Sequence, residues 1–132
     1  MKKDRRTGSG WIVEHGDMVA RLDEAADSPA NVGNFPVRVG VAVPVSNPAE
    51  FTLLDPLEQQ IREVIGAGDR GVLVAVISGT TPPLFRELIC YVRSDFDVEQ
   101  LRSTLQSRLP HLEIQSYIER DEAWDAYRSL KR

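Results

Sequence analysis

Few side chains in this 132-residue chain have the type and spacing that catalysis or metal binding requires. His15, Cys90 and His111 are single residues on separate predicted elements, with no close pair at ligand spacing, which argues against a metal centre. Cys90, within Leu88-Ile89-Cys90-Tyr91-Val92, has the setting of a small core residue; an activated nucleophile needs a base and an open, electropositive site. Gly66-Ala67-Gly68-Asp69-Arg70-Gly71 has closely spaced glycines, but it follows a predicted helix and precedes a predicted strand. Phosphate loops run the other way, so the segment reads as a helix stop and a tight turn. Asp121 and Glu122 form a carboxylate pair at a predicted helix start, where acids favour the dipole and cap the chain. No catalytic residue, metal or cofactor is assigned. The side chains left for recognition are Arg38, Glu87, Tyr91, Tyr117, Trp124 and Tyr127.

The elements that must position them can be read from periodicity. Trp11-Ile12-Val13-Glu14 and Met18-Val19-Ala20-Arg21-Leu22 flank His15-Gly16-Asp17 and predict a β-hairpin; residues 23–34 lack sustained periodicity and read as a loop. Phe35, Val37, Val39, Val41 and Val43 occupy alternate positions of a strand with one buried face. Asp55-Pro56-Leu57-Glu58 predicts a helix capped by Asp55, with Leu57, Ile61, Val64 and Ile65 as its apolar stripe and Gly66 or Gly68 as its stop.

Val72-Leu73-Val74-Ala75-Val76-Ile77 is an unbroken apolar run between glycines and predicts a strand covered on both faces. Pro82-Pro83 lies in a turn to the next strand, 84–93, on which Cys90 is assigned to the core and Glu87 and Tyr91 to the opposite face, near Arg38. Asp97 caps a helix bearing Val98, Leu101, Leu105 and Leu109, which Pro110 stops. A last strand, 111–119, should turn Leu112, Ile114 and Ile118 inward and Gln115, Tyr117 and Glu119 outward. Asp121 then caps a short helix with Trp124 and Tyr127 on one face, a clasp against the domain or an anchor for a partner.

From residue 35 to 119 the order strand, helix, strand, strand, helix, strand predicts an α+β, ferredoxin-like split βαβ core (βαββαβ), with an N-terminal β-hairpin and a short C-terminal helix. Right-handed crossovers give the spatial order fourth, first, third, second. The run Val72-Leu73-Val74-Ala75-Val76-Ile77 would then lie at a sheet edge, where the hairpin, the last helix or a second protomer must cover it, so a homodimer through this strand is one expectation. The face away from the two long helices should be a shallow polar surface carrying Arg38, Glu87, Tyr91 and Tyr117.

With 42% hydrophobic and 27% charged residues, the chain has the composition of one ordinary domain. A core of this size hides roughly 70% of the surface the unfolded chain would expose, and needs no disulfide or metal. The single cysteine, the absence of a leader pattern and the absence of any long apolar run predict a cytoplasmic protein without a membrane span. The net charge is −4, but residues 1–10 carry four bases against one acid, which leaves residues 11–132 at −7. Residues 1–10 therefore read as a disordered basic tail and residues 11–130 as the single domain. Its acidity argues against nucleic-acid binding, and the Lys/Arg-Gly-Phe segment of base-stacking domains is missing from the third core strand.

The pattern of Trp11, Asp121, Trp124 and Tyr127, with Leu54-Asp55-Pro56-Leu57-Glu58, resembles domain-of-unknown-function family 695 (DUF695). Members of that family begin near a tryptophan strand and end in an Asp-x-x-Trp-x-x-Tyr helix, and the resemblance spans residues 11–130. It implies kinship with ferredoxin-like proteins of the regulator of ribonuclease activity B type, which are acidic bacterial cytoplasmic proteins that act by binding an RNA-degrading enzyme. It carries over no catalytic residue. The expected function is a non-enzymatic regulatory or protein-interaction domain. The alternative is a small-ligand-binding module with a pocket between protomers or beneath the Trp124 helix. An enzyme using Arg38, Glu87 and His111 has no spacing argument behind it.

Overall fold

The computed structural model describes residues 2–7 and 10–131, with side chains described at positions 12, 14 and 16–131. The chain folds into α+β structure around one antiparallel sheet. Its strands are β1 (Lys2–Thr7), β2 (Gly10–His15), β3 (Met18–Asp23), β4 (Val37–Val45), β5 (Gly71–Gly79), β6 (Leu84–Val92) and β7 (Gln115–Arg120). Its α-helices are α1 (Pro29–Asn34), α2 (Asp55–Gly66), α3 (Val98–Arg108) and α4 (Asp125–Lys131). Among the described residues the sheet has seven strands in the order β1-β2-β3-β5-β6-β4-β7, larger than the four-stranded pattern read from the sequence. The four strands expected to form the core stand together as β5-β6-β4-β7, and β1 to β3 extend the sheet beyond β5.

That extension resolves the conflict at β5. The hairpin of β2 and β3 forms as the turn residues require, with Gly16 at φ +60°, and β3 pairs with β5 from Met18↔Gly79 to Leu22↔Ala75. β5 is therefore an interior strand, held by β6 on one side and by β3 from Ala75 to Gly79 on the other, so it does not offer the free sheet edge on which the expected homodimer rested. A register shift between Leu73 and Ala75 explains why the apolar run does not alternate: Leu73 and Val76 join one core, Val74, Ala75 and Ile77 the other.

The basic stretch expected to be a disordered tail instead provides β1, paired with β2 from Lys2↔His15 to Thr7↔Gly10. Its Lys- and Arg-rich composition, read as a solvated tail, is equally that of an edge strand. Residues 8 and 9 of the expected hinge lie outside the described residues.

Two further local expectations are corrected. Residues 23–34 are not a loop: Asp23 accepts a hydrogen bond from the Ala25 N–H and caps the 3-10 turn Glu24–Ala26, and Ser28 accepts from the Asn31 N–H to cap α1. The two elements span three and six residues, too short to show a period. Asp55 does not cap α2, because the 3-10 segment Pro48–Leu54 runs directly into that helix and makes Leu54 its cap residue. The capping has moved upstream, where Asn47 accepts from the Ala49 N–H and Glu50 from the Ser46 N–H. Asp97 caps α3 as expected, accepting from the Gln100 N–H.

Helices α2 and α3 pack on one face of the sheet, where Leu57, Ile61, Leu101 and Leu105 meet Val39, Val41, Leu88 and Cys90. The other face carries a second core of Ala20, Leu22, Phe35, Ile89, Tyr91, Trp124 and Tyr127. The last strand is shorter than the expected 111–119. As the outermost strand it leaves Ile118 51% exposed, although Val39 opposite it is fully buried. No helix among the described residues is long and apolar enough to cross a membrane.

Candidate functional site

The polar residues singled out in the sequence converge on β7, β4 and β6, on the face away from α2 and α3. Antiparallel register places them in three rows: Glu119 beside Arg38 beside Tyr91, Tyr117 beside Gly40 beside Ile89, and Gln115 beside Ala42 beside Glu87. Gly40 makes the middle row possible, because a Cβ there would fall 2.1 Å from the Tyr117 ring. Without it the ring lies across β4, and the Tyr117 hydroxyl donates to Glu87 on β6. The Arg38 guanidinium sits 5.6 Å from the centroid of the same ring, pairs with Glu119 and approaches Asp121 at 4.0 Å. Its Nε is buried with no hydrogen-bond partner among the described residues. Burial, then the hydrogen bond to Glu87, pushes the Tyr117 hydroxyl pKa up.

Asp121 joins this rim to the interior. One of its carboxylate oxygens accepts from the Tyr91 hydroxyl at 2.7 Å and from the Ala126 N–H at 3.1 Å, and the other from the Asp125 N–H at 2.9 Å. It thus accepts from the first N–H groups of α4 and also anchors Tyr91, although that helix begins at Asp125 and not directly after Asp121 as expected, which leaves Trp124 ahead of the helix. Burial pushes its pKa upward, but the bonds from Tyr91, Ala126 and Asp125, with Arg38 nearby, outweigh burial and hold the carboxyl below its ordinary range. Tyr91 stacks on Trp124 with centroids 4.3 Å apart, and Tyr127 meets Trp124 edge-on at 6.0 Å. The Trp124 indole N–H donates to the Phe35 carbonyl at 2.8 Å, and the Tyr127 hydroxyl to the Asp23 carbonyl at 3.2 Å. Trp124 holds φ at +59°, costly for a bulky residue, and these contacts keep it there.

The six candidate residues therefore divide. Arg38, Glu87 and Tyr117 form one partly exposed cluster, whereas Tyr91, Trp124 and Tyr127 are 0% exposed and form a clasp that docks α4 on the sheet. As partner- or ligand-binding residues the latter three are corrected: they present no surface, and the space beneath Trp124 is filled by Tyr91. The Trp11 side chain lies outside the described residues. Glu119, expected on the outward face, stands there beside Arg38, whereas sequence reasoning missed Ile118 as a rim residue, the pairing of Arg38 with Glu119 and the bond from Tyr91 to Asp121. A partner thirty residues away leaves no mark in local spacing.

Cys90 is fully buried on the helix-packed face, and burial pushes its thiol up to about 12, so it stays protonated. Gly68 at φ +71° and Asp69 at φ +52° make the turn expected after α2. Among the described residues no group of three or more His, Cys, Asp and Glu could hold a metal ion. Comparison of the chain with protein-family models, curated proteins and solved structures finds no match.

Proposed function

We propose that the protein is a non-enzymatic interaction domain that binds a protein partner along β7, the partner adding an extended basic segment to the sheet. One observation carries this reading: β7 is the last strand on its side and leaves Tyr117 37% and Ile118 51% exposed on opposite faces. An edge strand with an unpaired ladder offers main-chain hydrogen bonds to an incoming segment, and its alternating side chains offer selectivity. The basic character of the partner follows from charge, because residues 113–125 carry Glu113, Glu119, Asp121, Glu122 and Asp125 against Arg120, an excess of acid that Arg38 on β4 offsets only in part. Arg38, Glu87 and Tyr117 brace the rim beside it.

The order β5-β6-β4-β7, with α2 and α3 on one face, supports reading this part of the sheet as a ferredoxin-like unit extended by β1 to β3. Kinship with family 695 and a regulatory role in the bacterial cytoplasm belong to the same proposal. Of the residues behind that kinship, Asp121, Trp124 and Tyr127 have structural work in the clasp, which fits a family defined by fold.

Amide hydrogen exchange on the complex tests the proposal. The protein is used to capture a partner from native lysate, and exchange is measured with and without it. The reading expects slowed exchange at residues 115–120 and a basic, extended contacting segment on the partner. Protection elsewhere with 115–120 unchanged, or turnover of a small substrate by the purified protein alone, overturns it.

A further inference from the structure

Most arginines of the folded body are tied to carboxylates: Arg21 and Arg62 to Glu58, Arg38 to Glu119, Arg102 to Glu99, Arg120 to Glu122 and Arg128 to Asp27. Among the described residues Arg70, Arg86, Arg93 and Arg108 make no ion pair, and three of them, Arg70, Arg93 and Arg108, line one cleft of about 460 Å³. Arg70 reaches it from the turn between α2 and β5, Arg93 from just beyond β6 and Arg108 from the last turn of α3. In a body of net −7, unpaired guanidinium groups collect at one place.

We propose that this cleft binds a small phosphorylated metabolite, its phosphate held by Arg70, Arg93 and Arg108. Arginine matches the geometry of a phosphate with paired N–H donors, and two of the three are already held in place through some of their five N–H groups. Arg70 donates through Nε to the Ala67 carbonyl at 3.0 Å and through Nη2 to the Val64 carbonyl at 2.5 Å, and Arg108 donates to the Gln60 side chain. Arg93 has no side-chain partner among the described residues and is free to close on a ligand. Prior orientation lowers the cost of binding.

The rest of the lining selects the body of the ligand. Gln100 and Thr104 lie on the face of α3 that also carries Arg108, at successive four-residue steps, and neither side chain has a partner among the described residues. They can pair with hydroxyl or amide groups. Of the two acids present, Asp97 is engaged in capping α3, and Asp95 makes no ion pair among the described residues. The volume falls within the range of small-molecule sites.

Calorimetric titration of the full chain with a hexose phosphate, a nucleoside monophosphate, inorganic phosphate and hexose alone, at matched ionic strength, tests the proposal. At least one of the two phosphate esters is expected to bind saturably and more tightly than inorganic phosphate, and hexose not at all. Arg93→Ala should weaken that binding about tenfold or more with an unchanged melting temperature. Arg102→Ala, on the same helix but outside the cleft, should leave it unaltered. The proposal is overturned if neither ester binds more tightly than inorganic phosphate, or if Arg93→Ala binds as the parent does.

Discussion

The two faces of the sheet are closed by different physics. Among the described residues, the buried side chains under α2 and α3 are aliphatic, apart from Cys90, and none is aromatic; Val39, Val41, Leu57, Ile61 and Leu105 are fully covered and carry no polar atom to satisfy. Under α4 the core is built on Tyr91, Trp124 and Tyr127, and each places a polar group on a chosen acceptor: Asp121, the Phe35 carbonyl and the Asp23 carbonyl. Aliphatic packing is non-directional and follows from pattern alone. The aromatic face is directional, and depends on the ionisation of one carboxylate.

Truncation should cost most where the largest side chain is lost. Trp124→Ala is expected to destabilise by about 3–5 kcal/mol and to release α4, read by denaturant unfolding and by faster exchange at residues 125–131. Leu57→Ala on the opposite face should cost about 2–5 kcal/mol and leave the exchange of α4 relative to the rest of the chain unchanged. Equal loosening of α4 in both variants would break the distinction between the faces.

Asp121→Asn sharpens it through pH. The folded-state pKa of Asp121 lies below its ordinary value, so its contribution is present above about pH 4 and is lost as pH falls through the folded value. The variant should be less stable by about 1–3 kcal/mol at neutral pH and should show a flatter acid limb, measured by melting temperature against pH. At the alkaline end the sign reverses. Burial raises the Tyr91 hydroxyl, with its bond to Asp121 adding to the shift, and carries Tyr127 up to about 12, so both contributions hold below about pH 10 and fade above it. Tyr91→Phe should cost about 1 kcal/mol and reduce that alkaline loss.

The contrast between faces also decides what the sequence reveals. Alternation from Val37 to Val43, the stripe on α2 and the Asp97 cap place the aliphatic core residue by residue, because burial against a helix imposes a period; Phe35, read as part of the same alternation, precedes β4 and is buried in the aromatic core instead. The clasp is visible only as two aromatics one turn apart; its bonds run from Tyr91 to Asp121 and from Trp124 to Phe35, across separations that local spacing does not encode. The rim was partly legible: Arg38, Glu87 and Tyr117 share parity on neighbouring strands, but Ile118 was assigned inward because alternation does not tell an outermost strand from a covered one. The arginine cleft had no signal at all, since its three guanidinium groups come from three separate elements.

The smallest expected effect on stability belongs to the largest on function. Ile118 is exposed, so Ile118→Lys should change stability by no more than about 0.5 kcal/mol, while placing a charged side chain on the open edge of β7. Retention of the captured partner on immobilised Ile118→Lys protein, against the parent at the same loading, tests the central claim most directly. The account predicts at least about a tenfold loss of affinity with an unchanged melting temperature, and equal retention by the two proteins would contradict it.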